Sequence, residues 1–490
     1  MSELSDAPLG AEAPMRGRAL HFIAIGGAGM SGLALACHAL GARVSGSDRA
    51  ESTYVERLRA AGVEPSIGHD PDAVPPQADV VVSTAIGPDN VELVRALERG
   101  QRVIHRGELL AELCASRRLI AVAGAHGKTT TSGMIAHALL VAGADPGFLL
   151  GGELPGGAGA EPANATNARW GGGRWVVAEA DESDGSFLQL RPEVAVVTNV
   201  ELDHHSHWGG EGELVRAFTR FSAHAAALVR PAEPRLAALD GAGSILSFAV
   251  DATATGRPAA PAALGATDVV PVDGGSEFTV VAEAIGKLPA RLGVPGRHNV
   301  ANAVAAIGAL LEARKLDPGL PPIELLIESL ASFPGMSRRL QRKGRSAGGA
   351  VIYDDYAHHP TEVEAALAAL GELPHSRLIA VFQPHLYSRT KALAPRFGRA
   401  LAAADEVNVL DVYPARELPV GALEGVSGLA VAEAAADAAP GRRVRWLVDV
   451  ERGAGALEAE LRGGDILVTL GAGDVDRVAD ELVEAGGESL

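Results

Sequence analysis

The sequence predicts an α/β protein made of three consecutive domains, spanning residues 1–114, 115–332 and 333–490. Three observations carry that expectation. At about 100–200 residues per domain, 490 residues exceed what one core organises. Short apolar runs of strand length alternate with segments of helical period, the rhythm of parallel sheets covered on both faces. Two glycine-rich turns each follow such a run and open a helix, as phosphate-binding turns do. The outer domains therefore read as Rossmann-like parallel sheets and the central one as a P-loop ATPase domain.

In the first domain, Leu20–Ile25 reads as a strand, Leu33–Leu40 as a helix, Arg43–Ser47 as a strand ending in Asp48, Tyr54–Ala61 as a helix and Asp79–Val82 as a strand before the turn Pro88-Asp89-Asn90. Ala19–Leu40 carries no Asp, Glu, Lys or Arg and is long enough to span a bilayer. Its Gly26, Gly27, Gly29 and Gly32 argue for strand, turn and helix instead, so no membrane insertion is expected. The first eighteen residues contain Glu3, Asp6 and Glu12 and no apolar core, unlike a secretory signal.

The central domain opens with strand Leu119–Ala123 and helix Thr129–Val141. Leu154–Gly173, rich in Gly, Ala, Asn and Pro, reads as a long loop. Arg174–Ala178 and Val194–Thr198 read as buried strands. Residues 231–295 are Ala/Pro/Gly-rich and say little beyond short pieces such as Phe278–Ala282. A helix restarts at Asn299 with Val300, Ala303, Val304, Ile307 and Leu311 on one face. Ser332–Ser337 reads as a joint. Beyond it follow strand Ala350–Tyr353, helix Thr361–Leu370, strand Leu378–Phe382, helix Lys391–Ala403 and strands Glu406–Leu410 and Asp465–Leu470.

A formal net charge of −18 argues against a general affinity for nucleic acid or anionic membranes. Phosphorylated substrates must then be held by local devices. Two cysteines, Cys37 and Cys114, make no disulfide framework, and a reducing cytoplasm is the default location.

Gly27-x-Gly29-x-x-Gly32, with Asp48 ending the next strand, has the spacing of a nucleotide-binding turn. The bland alternative is a tight turn that holds nothing. Gly124-Ala125-His126-Gly127-Lys128-Thr129-Thr130 is more specific: glycines expose amide N–H groups, Lys128 faces the β- and γ-phosphates, and a hydroxyl serves magnesium. The usual first glycine falls at Val122, so the loop is a variant. Glu179-Ala180-Asp181-Glu182-Ser183-Asp184 and Glu201-Leu202-Asp203-His204-His205 each follow a strand of this domain, where carboxylates serve magnesium beside phosphate. In the third domain, Asp354–Glu362 and Gln383–Thr390 are dense in side-chain donors, as recognition of a small anionic ligand needs. His358-His359 lacks a third ligand at zinc spacing.

In this order, Gly26–Gly32, Ser45-Gly46-Ser47-Asp48, Gly124–Thr130, Glu179–Asp184, Asp355–Glu362 and Phe382–Thr390 resemble the Mur ligases from about Leu20 to Val475. The resemblance implies an N-terminal domain for a UDP-sugar, a central ATPase and a C-terminal domain for an amino acid. It implies the ATP-dependent joining of L-alanine to the carboxylate of UDP-N-acetylmuramate, giving ADP and phosphate, in cytoplasmic peptidoglycan synthesis. Another amino acid or peptide on a UDP-muramoyl substrate is the alternative. By the same resemblance, Gly26, Gly27, Ala28, Gly29, Met30, Ser31, Gly32 and Asp48 bind the UDP-sugar. Gly124, Ala125, His126, Gly127, Lys128, Thr129 and Thr130 bind ATP, with His298, Asn299 and Asn302 facing adenine. Thr129, Thr130, Glu179 and His204 surround Mg2+, and Lys128, Glu179 and His204 form the catalytic set. Tyr356, His358, His385 and Arg389 line the amino-acid site.

Three positions depart from the family pattern: Ala125 replaces a usual Thr, Ser206 a frequent Asp, and Leu386 a frequent Arg. Related ligases carry a carbamylated lysine past the Asp-His pair, but Glu201–Phe221 contains no lysine. Chemically, phosphoryl transfer to the carboxylate replaces oxide with phosphate as leaving group. Ligands on three domains imply closure that expels water from the acyl phosphate. His204, Asp181 and Glu182 all remain candidates for accepting the amine proton. A nicotinamide-dependent dehydrogenase leaves Gly124–Thr130 and both acidic clusters unused. A non-catalytic ATP switch leaves the acidic clusters and the third-domain donors unused.

Overall fold

The computed structural model describes residues 15–156, 165–201, 208–240, 243–250, 262–272, 274–415 and 417–486, with the backbone of 488–489. Its contacts divide the chain into two units, Met1–Ser247 with Ala306–Leu326 and Phe248–Ala305 with Ile327–Leu490. Three sheets carry the fold.

The first unit contains a five-stranded parallel sheet in the order Ser66–Ile67, Arg43–Asp48, Ala19–Ile23, Asp79–Val82, Val103–His105. Strand order reverses at Ala19–Ile23, and the glycine motif lies just beyond that strand, where doubly wound sheets open a crevice. In the turn the left-handed residue is Ala24, with φ of 60°, and none of Gly26, Gly27, Gly29 and Gly32 has positive φ. The helix starts at Ala28 rather than Leu33 and runs to Ala39. Gly29 and Gly32 thus lie inside it and serve close packing: a Cβ would come 3.2 Å from Arg106 Nη1 at Gly29, and 3.2 Å from Asn167 Nδ2 at Gly32.

The same unit carries six neighbouring strands in the order Ala227–Pro231, Val194–Val197, Arg118–Ala123, Trp175–Glu179, Gly147–Leu154, Thr166–Trp170. All pair in parallel except the last, which is antiparallel to Gly147–Leu154. Thr166–Trp170 corrects the long loop expected over Leu154–Gly173, of which 157–164 lie outside the described residues. As an edge strand it needs only one paired side, so its polar residues hid no apolar run. Helix Lys128–Val141 is buried from Thr129 to Leu139, consistent with a run of small and apolar residues interrupted by His137.

In the second unit, the unreadable stretch before 295 forms an antiparallel meander, Leu264–Val272, Gly275–Ala282 and Gly286–Leu292. Helix Arg297–Leu316 follows, with residues 297–305 in this unit and 306–316 in the first, and it buries Val300, Ala303, Val304, Ile307 and Leu311 as the periodicity predicts. Phe333 and Met336, within the expected joint, are buried. The remaining sheet has the order Arg443–Trp446, Glu406–Val409, Leu378–Phe382, Ile466–Leu470, Val351–Asp355, Gln341–Arg345, Glu488–Ser489. The first five strands are parallel and the last two antiparallel. The helix expected from Lys391 begins at Tyr387 and ends at Leu401, running through Pro395. Its early start follows from Leu386, whose carbonyl accepts both Thr390 N (3.0 Å) and Thr390 Oγ1 (2.8 Å).

Among the described residues no helix is long and apolar enough to cross a membrane. Cys37 and Cys114 are buried free thiols, each pushed up to about 12 by burial.

Gly398 tests the packing of helix Tyr387–Leu401. Alanine at a helix interior normally gains about 1 kcal/mol over glycine. Here its Cβ would stand 2.4 Å from the Ala434 carbonyl carbon. Overpacking of that kind costs roughly 1–3 kcal/mol or more. Gly398→Ala should therefore lower the thermal midpoint, and an unchanged or higher midpoint contradicts the packing described.

Candidate active site

The phosphate loop begins where strand Arg118–Ala123 ends. Gly124 and Gly127 take φ of 138° and 79°, and a Cβ on Gly124 would come 2.1 Å from Thr198 Oγ1, so this position needs glycine twice over. Two residues that sequence reasoning missed pin the loop. Asn199 accepts from His126 N through Oδ1 (3.0 Å) and donates from Nδ2 to His126 O (2.8 Å), while Thr198 Oγ1 donates to the same carbonyl (2.6 Å). Their signal was present: both follow a buried strand, immediately before the acidic cluster. His126 Nε2 lies 3.2 Å from Glu201 Oε2. Asp203, His204, His205 and Ser206 lie outside the described residues.

Lys128 Nζ donates to Gly124 O (2.6 Å) and Ala125 O (3.3 Å), and lies 3.2 and 3.0 Å from the two carboxylate oxygens of Glu182. Burial opposes its charge, but Glu182, Asp181 and Glu179 more than reverse that and hold the ammonium above its ordinary value. Burial lifts the Glu182 carboxyl, and Lys128 offsets part of the rise. Burial also opposes the charge of Asp181, yet Lys128 and Arg106 hold that carboxyl well below the usual range.

Arg106, the first residue of helix Arg106–Cys114, is the other cation of this site and carries no sequence motif of its own. Its Nη2 meets Asp181 Oδ2 at 2.7 Å and Asp184 Oδ2 at 3.2 Å. Glu179 ends strand Trp175–Glu179 and accepts from Gly151 N (2.9 Å). A Cβ on Gly151 would stand 2.6 Å from that carboxylate, so glycine leaves a cradle beside it. Magnesium takes oxygen ligands. Three carboxylates, the buried hydroxyls of Thr129 and Thr130 and this cradle form a donor set that suits it.

The first glycine motif reaches the same place. Asn167, on the unforeseen edge strand, donates from Nδ2 to Ala28 O (2.5 Å) and Ser31 Oγ (3.2 Å). A pocket of about 230 Å³ is lined by Gly29, Gly32, Arg106, Leu149, Glu179 and Asp181 among others. Asp48 accepts from Gly26 N (2.8 Å) through Oδ2, fastening the turn. Met30 is buried in the core behind it.

In the second unit, Asn299 donates to Pro295 O (2.7 Å) and accepts from Asn302 Nδ2 (3.3 Å), which ties the start of helix Arg297–Leu316 to the loop before it. Burial pushes His298 down to about 4, leaving it neutral near pH 7. The Tyr356 and His358 rings meet edge to face at 5.4 Å, and His358 and His385 at 6.0 Å. The guanidinium groups of Arg338 and Arg339 lie 5.1 and 5.3 Å from the centre of the Tyr356 ring. Arg389 sits on the first turn of helix Tyr387–Leu401. Within the donor-dense segment Asp354–Glu362, two members are structural. Glu362 accepts from His358 N and His359 N (3.0 and 3.2 Å), capping helix Pro360–Gly371. Asp355, pushed up to about 6 by burial, accepts from Leu340 N and Ala357 N (2.7 and 2.8 Å).

A P-loop whose lysine is ringed by carboxylates, on a parallel sheet beside a second nucleotide-type turn, defines an ATP-using enzyme that acts on a second ligand. Residues 19–118 match the Mur ligase family, catalytic domain; 122–310 the Mur ligase middle domain; and 338–473 the Mur ligase, glutamate ligase domain. The chain belongs to the Mur ligase family. It is 45% identical over 474 residues to a UDP-N-acetylmuramate–L-alanine ligase of Kineococcus radiotolerans, covering 95% of each chain. It is 44% identical over 491 residues to the enzyme so named in Mycolicibacterium paratuberculosis, again covering 95% of each. Among solved structures, the UDP-N-acetylmuramate–alanine ligase of Thermotoga maritima superposes with a TM-score of 0.79 at 26% identity, over 95% of this chain and 98% of that one. A murein peptide ligase of Psychrobacter arcticus gives 0.69 at 25% identity, over 96% and 99%.

The Arg106 ion pairs generate a direct test. Removing one partner of a fully buried pair costs roughly 3–5 kcal/mol; here the Asp181 side chain is 34% exposed, which reduces its share, while the Asp184 side chain is 7% exposed. Arg106→Met should lower the thermal midpoint, and adding Asp181→Asn should restore part of the loss. Strictly additive losses would show that the two groups do not interact.

Proposed function

We infer that this protein joins L-alanine to the carboxylate of UDP-N-acetylmuramate, splitting ATP to ADP and phosphate, as a step of peptidoglycan assembly. The observation that carries this reading is near-full-length identity of 45% to a ligase named for that reaction, on a chain that has kept a charged P-loop lysine among carboxylates.

The residue roles follow from chemistry. Amines do not displace oxide from a carboxylate, so the carboxylate oxygen first attacks the γ-phosphorus of ATP and ADP leaves. Lys128 stabilises the charge spread over the transferring group. Gly124, Ala125, His126 and Gly127 present the loop backbone to the phosphates. Thr129 or Thr130, Glu179 and His204 would hold magnesium, which neutralises phosphate charge when bound. The amine of alanine then attacks the acyl carbon, the C–O bond to phosphate breaks, and the ammonium proton goes to a base. Asp181, held ionised by Lys128 and Arg106, is the weaker base of the two described carboxylates, and Glu182, lifted by burial, the stronger; His204 stays a candidate from the family resemblance.

The UDP-sugar belongs to the first domain, residues 1–114, at Gly26–Gly32, with Asp48 shaping that turn. ATP belongs to the central domain, 115–332, and His298, Asn299 and Asn302 are assigned to adenine; a neutral His298 suits an uncharged base. Alanine belongs to the C-terminal domain, 333–490, at Tyr356, His358, His385 and Arg389. Nucleotide substrates support a cytoplasmic location, and the net charge of −18 supports the absence of a nucleic-acid partner.

Sustained ADP release, beyond one ADP per enzyme, should require UDP-N-acetylmuramate and L-alanine together. Sustained release without the amino acid, or with another amino acid only, overturns the substrate assignment. Lys128→Ala should abolish turnover while changing UDP-sugar affinity, read by calorimetry, by no more than about threefold, below 1 kcal/mol. Comparable loss of sugar binding would mean that the two nucleotides have been assigned to the wrong turns.

A further inference from the structure

We propose that Tyr413 is a positioning residue of the amino-acid site: it fixes the His385 imidazole and, through Leu386, the first turn of the helix bearing Arg389. The proposal rests on the assignment of alanine to Tyr356, His358, His385 and Arg389.

Strands Leu378–Phe382 and Glu406–Val409 are parallel neighbours, so the loops that leave their C-terminal ends run side by side. Tyr413 joins them on both edges of its peptide. Its N–H donates to Pro384 O (2.8 Å), and its carbonyl accepts from Leu386 N (3.0 Å). His385, between those two partners, is thereby held from its backbone. Its side chain is held as well: the Tyr413 and His385 rings are nearly parallel, 13° apart with centroids at 5.8 Å, an offset stack. Tyr413, His385, His358 and Tyr356 thus form one unbroken row of rings.

Leu386 shows why such a clamp is needed. Its φ is 70°, a left-handed conformation that a leucine adopts only at a cost and only where its surroundings determine it. It immediately precedes Tyr387–Leu401, so any relaxation of Leu386 would swing the turn that carries Arg389. The same loop adds a second fastening, for Glu417 accepts from Ser388 N (2.9 Å) and from Ser388 Oγ at the N-terminal end of that helix.

The space behind the Tyr413 ring is set by glycine. A Cβ on Gly473 would lie 2.6 Å from Tyr413 Cγ and 2.2 Å from Gln383 Oε1. Arg338, whose guanidinium also lies over Tyr356, donates from Nη2 to Gly473 O (3.1 Å). One end of the ring row is therefore boxed by Gly473 and the other covered by Arg338, which also bonds Gly473. This closes a loop of contacts through groups that need not touch substrate. The phenol hydroxyl takes no part in it, so the ring alone should suffice.

Steady-state kinetics on Tyr413→Leu, Tyr413→Phe and Arg389→Ala, varying each substrate separately, tests the proposal. Tyr413→Leu keeps bulk but removes the stack. It should raise the alanine KM about three- to tenfold, leaving the KM values for ATP and UDP-N-acetylmuramate unchanged. Tyr413→Phe should restore the wild-type alanine KM, and a Gly473→Ala variant, which displaces the ring, should reproduce the Leu phenotype if Tyr413→Leu does not fold. Arg389→Ala should raise the alanine KM by about 10–150-fold. If Arg389→Ala does so while Tyr413→Leu leaves alanine KM untouched, the positioning role is wrong and the site stands. Equal damage to all three substrates, unrescued by Phe, also overturns it, since that marks a merely structural residue. A wild-type alanine KM in Arg389→Ala overturns the site assignment and the proposal with it.

Discussion

Lys128 is a buried ammonium, and the first unit is arranged around the need to keep it charged. Enclosing a cation costs several kcal/mol unless opposite charges and hydrogen bonds replace its water. Strand Trp175–Glu179 and the segment after it supply those charges as Glu179, Asp181 and Glu182, and the loop supplies Gly124 O and Ala125 O. The carboxylates in turn create a surplus of negative charge, which Arg106 relieves at Asp181 and Asp184. On a chain of net charge −18 these two cations offset part of the local carboxylate charge.

Glycines set the distances in that arrangement more than they set its turns. Gly151 leaves room for Glu179, Gly29 for Arg106, and Gly32 for Asn167. Gly107 does the same at Ser186, where a Cβ would stand 2.5 Å from the serine Cβ. Each is a place where backbone approaches a neighbouring side chain closely. Substitutions there should act on geometry before they act on chemistry.

The parallel-strand rhythm, the P-loop and the acidic cluster Glu179–Asp184 were legible because each is written in contiguous residues. Strand Asp79–Val82 falls where the apolar run places it, and helix Lys128–Val141 starts at the lysine of the motif. What escaped is non-local. Thr166–Trp170 is a strand only because Gly147–Leu154 offers it an edge, and its polar composition argues for a loop when read alone. Arg106 becomes a site residue only when the helix it opens is set against Asp181. Tyr413 acquires meaning only beside His385. The glycines at 27, 29 and 32 were found, but the helix after them was placed too late, at Leu33, because Gly29 and Gly32 read as turn residues and lie inside Ala28–Ala39. A further signal was available and unread: Gly471-Ala472-Gly473-Asp474 after strand Ile466–Leu470 has the same strand-then-glycine form as the two turns that were recognised.

The central claim is that the charge arrangement around Lys128 serves to activate a carboxylate rather than to hydrolyse ATP with water. Labelling the carboxylate oxygens of UDP-N-acetylmuramate with 18O follows those atoms directly. If the carboxylate attacks the γ-phosphorus and the amine later displaces phosphate, one labelled oxygen leaves with that phosphate and one stays in the new amide. Mass spectrometry of the inorganic phosphate after complete turnover should therefore show one 18O per molecule. Unlabelled phosphate, with both labels retained by the sugar nucleotide, would contradict the account.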